Sequence, residues 1–174
     1  MKIFIIVLFL LIIAIGLYFF QKIMVKDGKK RYIKKFIQNS SIEAVDALSG
    51  YDFEVFLCAL FSSFGFNSKT TPKSGDKGAD IIARNKNISI AIQAKLYFKS
   101  KVGSSAIQEV FASKEYYNCN YAIAVTNSFF SSQAIEMASK LGVILINRED
   151  LSKLIKSDGK LYLISILNNN KPNK

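Results

Sequence analysis

The chain has 174 residues, room for one ordinary domain and an appendage. Half of it is hydrophobic, enough to point to a membrane segment, and a formal charge of +11 favours polyanionic partners, either nucleic acid or anionic lipid. There is no histidine, and the cysteines, Cys58 and Cys119, lie far apart, so histidine triads, histidine metal centres, disulfide scaffolds and zinc sites are excluded; any catalysis rests on carboxylates, lysine, amides and a hard cation.

The first predicted element is residues 3–20, IFIIVLFLLIIAIGLYFF, an uncharged run just long enough to span the hydrocarbon layer. Tyr18, Phe19 and Phe20 stand where interfacial aromatics belong. A cleaved signal peptide is the competing reading. The length of the run, the single leading charge of Lys2 and the lack of a small-x-small site before Gln21 favour a retained anchor over residues 1–21. Lys22, Lys26, Lys29, Lys30, Arg31, Lys34 and Lys35 follow, against Asp27. By the positive-inside rule this flank places the rest of the chain in the cytoplasm, as a single-pass protein of the cytoplasmic membrane. The same 22–35 stretch suits contact with anionic headgroups.

Residues 22–48 are expected to form a basic helical linker, with Ser49-Gly50 as punctuation. The apolar pattern predicts a helix over 53–66 that ends at Gly65. A strand is expected at 67–71, a glycine-rich turn at 72–78, and two strands at 79–84 and 88–95 joined by Asn85-Lys86-Asn87. Helix 104–117, strand 121–125, helix 131–140, strand 143–146 and helix 148–155 complete a domain over 49–157, followed by an extension or tail over 158–174. Clustered strands followed by strand–helix alternation predict an α/β fold, a mixed sheet with helices on both faces, preceded by one transmembrane helix.

Strand 88–95 is the informative piece. Alternation puts Ser89, Ala91, Gln93 and Lys95 on one face. If strand 79–84 pairs with it, Asp80 faces Gln93 and Lys95. A carboxylate, an amide oxygen and an ammonium then converge, a set suited to phosphodiester hydrolysis. Mg²⁺, or Mn²⁺, takes oxygen ligands and needs few protein carboxylates. Asp80, the Gln93 side chain and the Ala94 carbonyl would be ligands, and Lys95 would offset developing charge. Glu54 is a candidate second acid, against the plain alternative of a helix N-terminal glutamate beside Asp52. On spacing alone, Q-x-K also fits three solvated residues on a half-exposed sheet.

Taken jointly, Phe53-Glu54, Phe64-Gly65-Phe66, Ser74 to Ile82 (SGDKGADII), Ile92-Gln93-Ala94-Lys95 and Val125-Thr126-Asn127 resemble the Mrr-type restriction endonuclease domain of the PD-(D/E)xK nuclease superfamily, over roughly residues 51–151. The resemblance implies a restriction-endonuclease-like sheet and Mg²⁺-dependent DNA cleavage. It matches Asp80 to the metal-binding aspartate, Gln93 to the glutamine that replaces the superfamily acid, Lys95 to the motif lysine and Glu54 to the helix glutamate. Asp76 matches the acid of the glycine-rich turn. Family members often add a winged-helix recognition domain, whereas this chain has a membrane run. Lys73, Lys77, Lys99, Lys101 and Gln108 are the expected DNA contacts. The expected partners are DNA, the membrane through 3–20, anionic lipid along 22–35 and a second copy in a homodimer. The alternative is a non-catalytic DNA-binding or membrane-associated adaptor on the same fold.

Overall fold

The computed structural model describes Ile37, residues 40–72 and residues 77–171. The expected span at 3–20, the basic 22–35 stretch, and Lys73 and Asp76 lie outside the described residues. Among the described residues no helix is long and apolar enough to cross a membrane.

The compact unit begins at Ile37, earlier than the expected 49. A short helix α1 (Ile42–Asp46), capped by the Ser41 hydroxyl, precedes Ser49. Ser49 is itself an N-cap, accepting from the Asp52 amide, so Gly50 is the first residue of α2 (Gly50–Ser63) rather than a break. Phe53, Phe56, Leu57, Leu60 and Phe61 recur on one stripe of α2 and are buried. The helix stops at Phe64, and Gly65 follows with φ +99.

Five strands form one sheet in sequence order. β1 (Asn67–Thr70) and β2 (Ile81–Arg84) are antiparallel, as are β2 and β3 (Ser89–Lys95). β3 runs parallel to β4 (Tyr121–Thr126), and β4 to β5 (Ile144–Ile146). Helices α3 (Ser105–Tyr116) and α4 (Ser132–Leu141) make the two crossovers. Right-handed crossovers in one direction put both helices on one face, and α3 and α4 do pack together there.

That face is lined by small residues. Ala91, Ala122 and Ala124 meet Ala106, Ile107 and Val110 of α3 and Ala134 and Ala138 of α4. The alternate residues Ile81, Ile90, Ile92, Ile123 and Ile146 are fully buried on the opposite face, where α2 packs on β1 to β3 and α5 (Arg148–Ile155) on β4 and β5. Both faces of the sheet are covered, which is why β3 and β4 read as near-continuous apolar runs.

Within the expected extension or tail over 158–174, residues 159–169 form helix α6 (Gly159–Asn169), with Leu163 and Leu167 buried against α5.

Candidate active site

Asp80 sits one residue before β2, held from both sides by backbone. Its N–H donates to the Ile92 carbonyl at 2.9 Å, and its carbonyl accepts from the Thr71 N–H at 2.9 Å. The Thr71 hydroxyl adds a bond to the Ala79 carbonyl at 2.6 Å. The chain reaches this position through Gly78. Gly78 has φ +85, and a Cβ there would stand 2.5 Å from the Glu109 carbonyl oxygen, so the turn needs glycine for both conformation and room.

With Ile81 opposite Ile92, the register brings Asp80 against Gln93. The Gln93 amide donates to Asp80 Oδ2 at 2.5 Å, and the Ala94 N–H donates to the same oxygen at 2.7 Å. Gln93 is only 4% exposed, and its Oε1 is buried without a hydrogen-bond partner. An orphaned buried amide oxygen is costly in an otherwise satisfied interior. The amide orientation is forced, because a carboxylate accepts only from the NH₂ end. The open acceptor thus lies on the Gln93 oxygen beside Asp80. The Ala94 N–H points to the Asp80 side, and in a hydrogen-bonded strand the same residue's carbonyl points that way too.

Lys95, two residues on and on the same face, pairs with Glu109 of α3 at 2.9 Å. Sequence reasoning placed Gln108 near the site and passed over Glu109. Lys95 and Glu109 are joined by an irregular loop and a helix, so no local period exposes the pairing. Gln108 is exposed beside it. Among the described residues no three acidic or sulfur side chains gather at one point, so any cation here leans on one or two carboxylates, an amide and waters. Glu54 is half-buried on α2, next to the wholly buried Phe53.

The other expected DNA contacts are at the surface. Lys77 is exposed with φ +56 and lies over the Tyr116 ring at 6.0 Å. Lys99 is exposed, as is Lys101, and the Lys99 ammonium lies over Phe98 at 5.2 Å. A second polar cluster stands at the end of β4. Arg148 donates to Asp46 Oδ1 at 2.7 Å and to the Asn127 carbonyl at 3.0 Å, while the Asn127 amide also donates to Asp46. The Arg148 bond, with the Asn127 bond beside it, holds the Asp46 carboxyl below the ordinary carboxylate range despite partial burial. The sequence pattern assigns Asp46 to a linker; in the structure it anchors α1 to the domain.

A restriction endonuclease family model, that of the Mrr catalytic domain, matches residues 45–155. No curated protein matches the sequence significantly. Among solved structures, one similar fold is AF1548, a protein of unknown function, with TM-score 0.53 and 19% identity over 67% of this chain and 67% of that one. Another is the DNA modification-dependent restriction endonuclease AspBHI, with TM-score 0.54 and 19% identity over 79% of this chain and 39% of that one. A third is the MspJI restriction endonuclease in complex with a 27-mer oligonucleotide, at TM-score 0.46 and 18% identity, covering 81% of this chain and 34% of that one. The chain thus spans well under half the length of the two named endonucleases. At these identities the likeness is one of fold. The family match covers most of the compact unit, and the chain belongs to the Mrr-type restriction endonuclease family.

Proposed function

We propose that the chain is a membrane-anchored endodeoxyribonuclease that uses Mg²⁺ or Mn²⁺ to hydrolyse DNA phosphodiester bonds. The observation that carries this reading is the buried, unpartnered Gln93 Oε1 beside the Asp80 carboxylate. A hard cation is the natural partner for that oxygen pair, because it takes oxygen ligands and keeps waters in its remaining positions. Asp80, Gln93 and the Ala94 carbonyl would hold it, with Glu54 as the candidate second acid. When bound, the ion would polarise a phosphoryl oxygen and acidify a water.

The protein's own groups do the rest. Asp80 is fixed by the Ile92 and Thr71 backbone and by the donors of Gln93 and Ala94, so its carboxylate needs no reorganisation. Lys95 carries a positive charge at the same face, where it would offset negative charge building on the phosphoryl group. Glu109 sets the direction of that ammonium. The run at 3–20 would tether the domain, and the 22–35 cations would keep it on the cytoplasmic side.

The test is nicking of supercoiled plasmid by the full chain in detergent with Mg²⁺ or Mn²⁺. Cleavage should need the ion and should fall by about a hundredfold or more in Asp80→Ala and in Lys95→Ala. Salt-dependent DNA binding with no cleavage under either ion would make the protein a binding module instead.

A further inference from the structure

The strongest feature outside that site is the surface beyond the carboxyl end of β3. Tyr97, Phe98 and Phe129 are all exposed there, and Phe98 is 80% accessible, the most exposed of the large apolar side chains among the described residues. These rings line a hollow of about 210 Å³ together with Lys99, Asn127 and Arg148. Two exposed phenylalanines and a tyrosine around one hollow are not a random scatter of surface apolar residues.

The loops that present them are braced by hydrogen bonds on either side of Phe98 and at Phe129. The Val102 N–H donates to the Phe129 carbonyl at 2.9 Å, and the Ser131 N–H to the Val102 carbonyl at 2.9 Å. The Ser128 hydroxyl reaches the Ser100 carbonyl at 2.7 Å. The Asn127 side chain brackets Tyr97, accepting from its N–H at 2.9 Å and donating to its carbonyl at 3.1 Å. Within this braced loop Lys99 adopts φ +62, a left-handed backbone uncommon for a lysine. The loop therefore holds Phe98 outward in spite of local strain.

We propose that Phe98 and Phe129 form a stacking platform for unpaired bases, so that the substrate of this site is DNA with a single-stranded segment next to the scissile phosphate. This rests on the nuclease reading above and adds to it a substrate class. Register places the platform: Lys95 is paired with Thr126, Asn127 follows Thr126, and its side chain holds Tyr97, two residues past Lys95. Phe98 is three residues past Lys95, so their Cα atoms are at most about 11 Å apart, within reach of a strand held at Lys95. Bases in a duplex have their faces covered, whereas unpaired bases offer a π-face to any aromatic side chain. Lys99 and Lys101, both exposed, supply phosphate contacts on the same loop. The polar groups of the hollow bond among themselves through Asp46, Asn127 and Arg148. They make no demand on a particular base edge, so the platform should tolerate any sequence.

The chain contains no tryptophan, so Phe98→Trp gives a lone, selectively excitable indole on the platform. The full chain in detergent, with EDTA to prevent cleavage, is titrated with a single-stranded oligonucleotide and with its perfect duplex. The single strand should quench the indole emission of the Phe98→Trp variant and bind more tightly. The double substitution Phe98→Ala/Phe129→Ala should lose about tenfold or more in single-strand affinity and under about twofold in duplex affinity. Phe98→Tyr/Phe129→Tyr, which keeps both rings, should restore most of it, and unchanged melting temperatures would show that the variants fold. Equal binding of both DNAs with no change in the double variant overturns the proposal. So does a concentration-dependent blue shift without DNA, which would assign the face to a second copy of the chain. Stacking without metal-dependent cleavage leaves the platform standing and removes the nuclease reading; cleavage without strand preference does the reverse.

Discussion

Asp80 commits one carboxylate oxygen to two donors, the Gln93 amide and the Ala94 N–H. That arrangement makes Gln93 more than a neutral stand-in for an acid. Its nitrogen end neutralises part of Asp80, and its oxygen end is left over. Gln93→Glu would set two carboxylates in contact. Like charges at that range raise one carboxyl's pKa and destabilise the metal-free fold. The variant should melt several degrees below the parent in EDTA and gain more from added Mg²⁺ than the parent does, as thermal shift would read; equal Mg²⁺ response in the two proteins would remove the cation from this site. Gly78 is the second residue on which the site depends. Gly78→Ala places a methyl against the Glu109 backbone and an L-residue at φ +85. It should cost about 3 kcal/mol, measured by denaturant midpoint, with cleavage falling alongside.

At the scale of elements, α1 and α5 are tied by charge across more than a hundred positions of sequence. Arg148 donates to Asp46 at 2.7 Å, and Asn127 at the end of β4 donates to the same oxygen. Asp46→Asn should cost about 1 kcal/mol at neutral pH, a moderate figure because the pair is partly solvated. The pH dependence has a definite sign. The folded-state pKa of Asp46 lies below its ordinary 3.8, so the carboxylate adds stability above 3.8 and loses it as pH falls through the lower folded value. The gap in melting temperature between parent and Asp46→Asn should therefore be widest at neutral pH and close in acid. A gap that widened on acidification would remove Asp46 from the account.

At the scale of the whole molecule, how much was legible depended on range. The order of elements from α2 to α5 followed from alternation, apolar stripes and turn residues within a few positions of one another. Ser131 before α4 and Gly142 after it mark their helix at both ends. The shared face of Gln93 and Lys95 was readable because a strand has period two. Three things were not readable. Glu109 meets Lys95 across a loop and a turn of helix, and the Asp46–Arg148 pair joins opposite ends of the domain. Helix α6 follows Asp158 without a side-chain cap, so its start carries no clear signal. Its packing matters nonetheless. Leu163 is 1% exposed, and Leu163→Ala should cost roughly 2–5 kcal/mol in chemical denaturation; a loss below that range would mean α6 is dispensable to the core.

The alanines between the sheet and its crossover helices set how far a charge has to reach. Ala91, Ala122 and Ala124 let α3 settle close to β3 and β4, and from that distance Glu109 just meets Lys95. A valine at one of these positions would act as a shim, lifting the helix while leaving every polar residue of the site in place. The ammonium would then swing without its guide. On the proposed nuclease reading, cleavage would then be detuned from a buried position that touches neither solvent nor substrate.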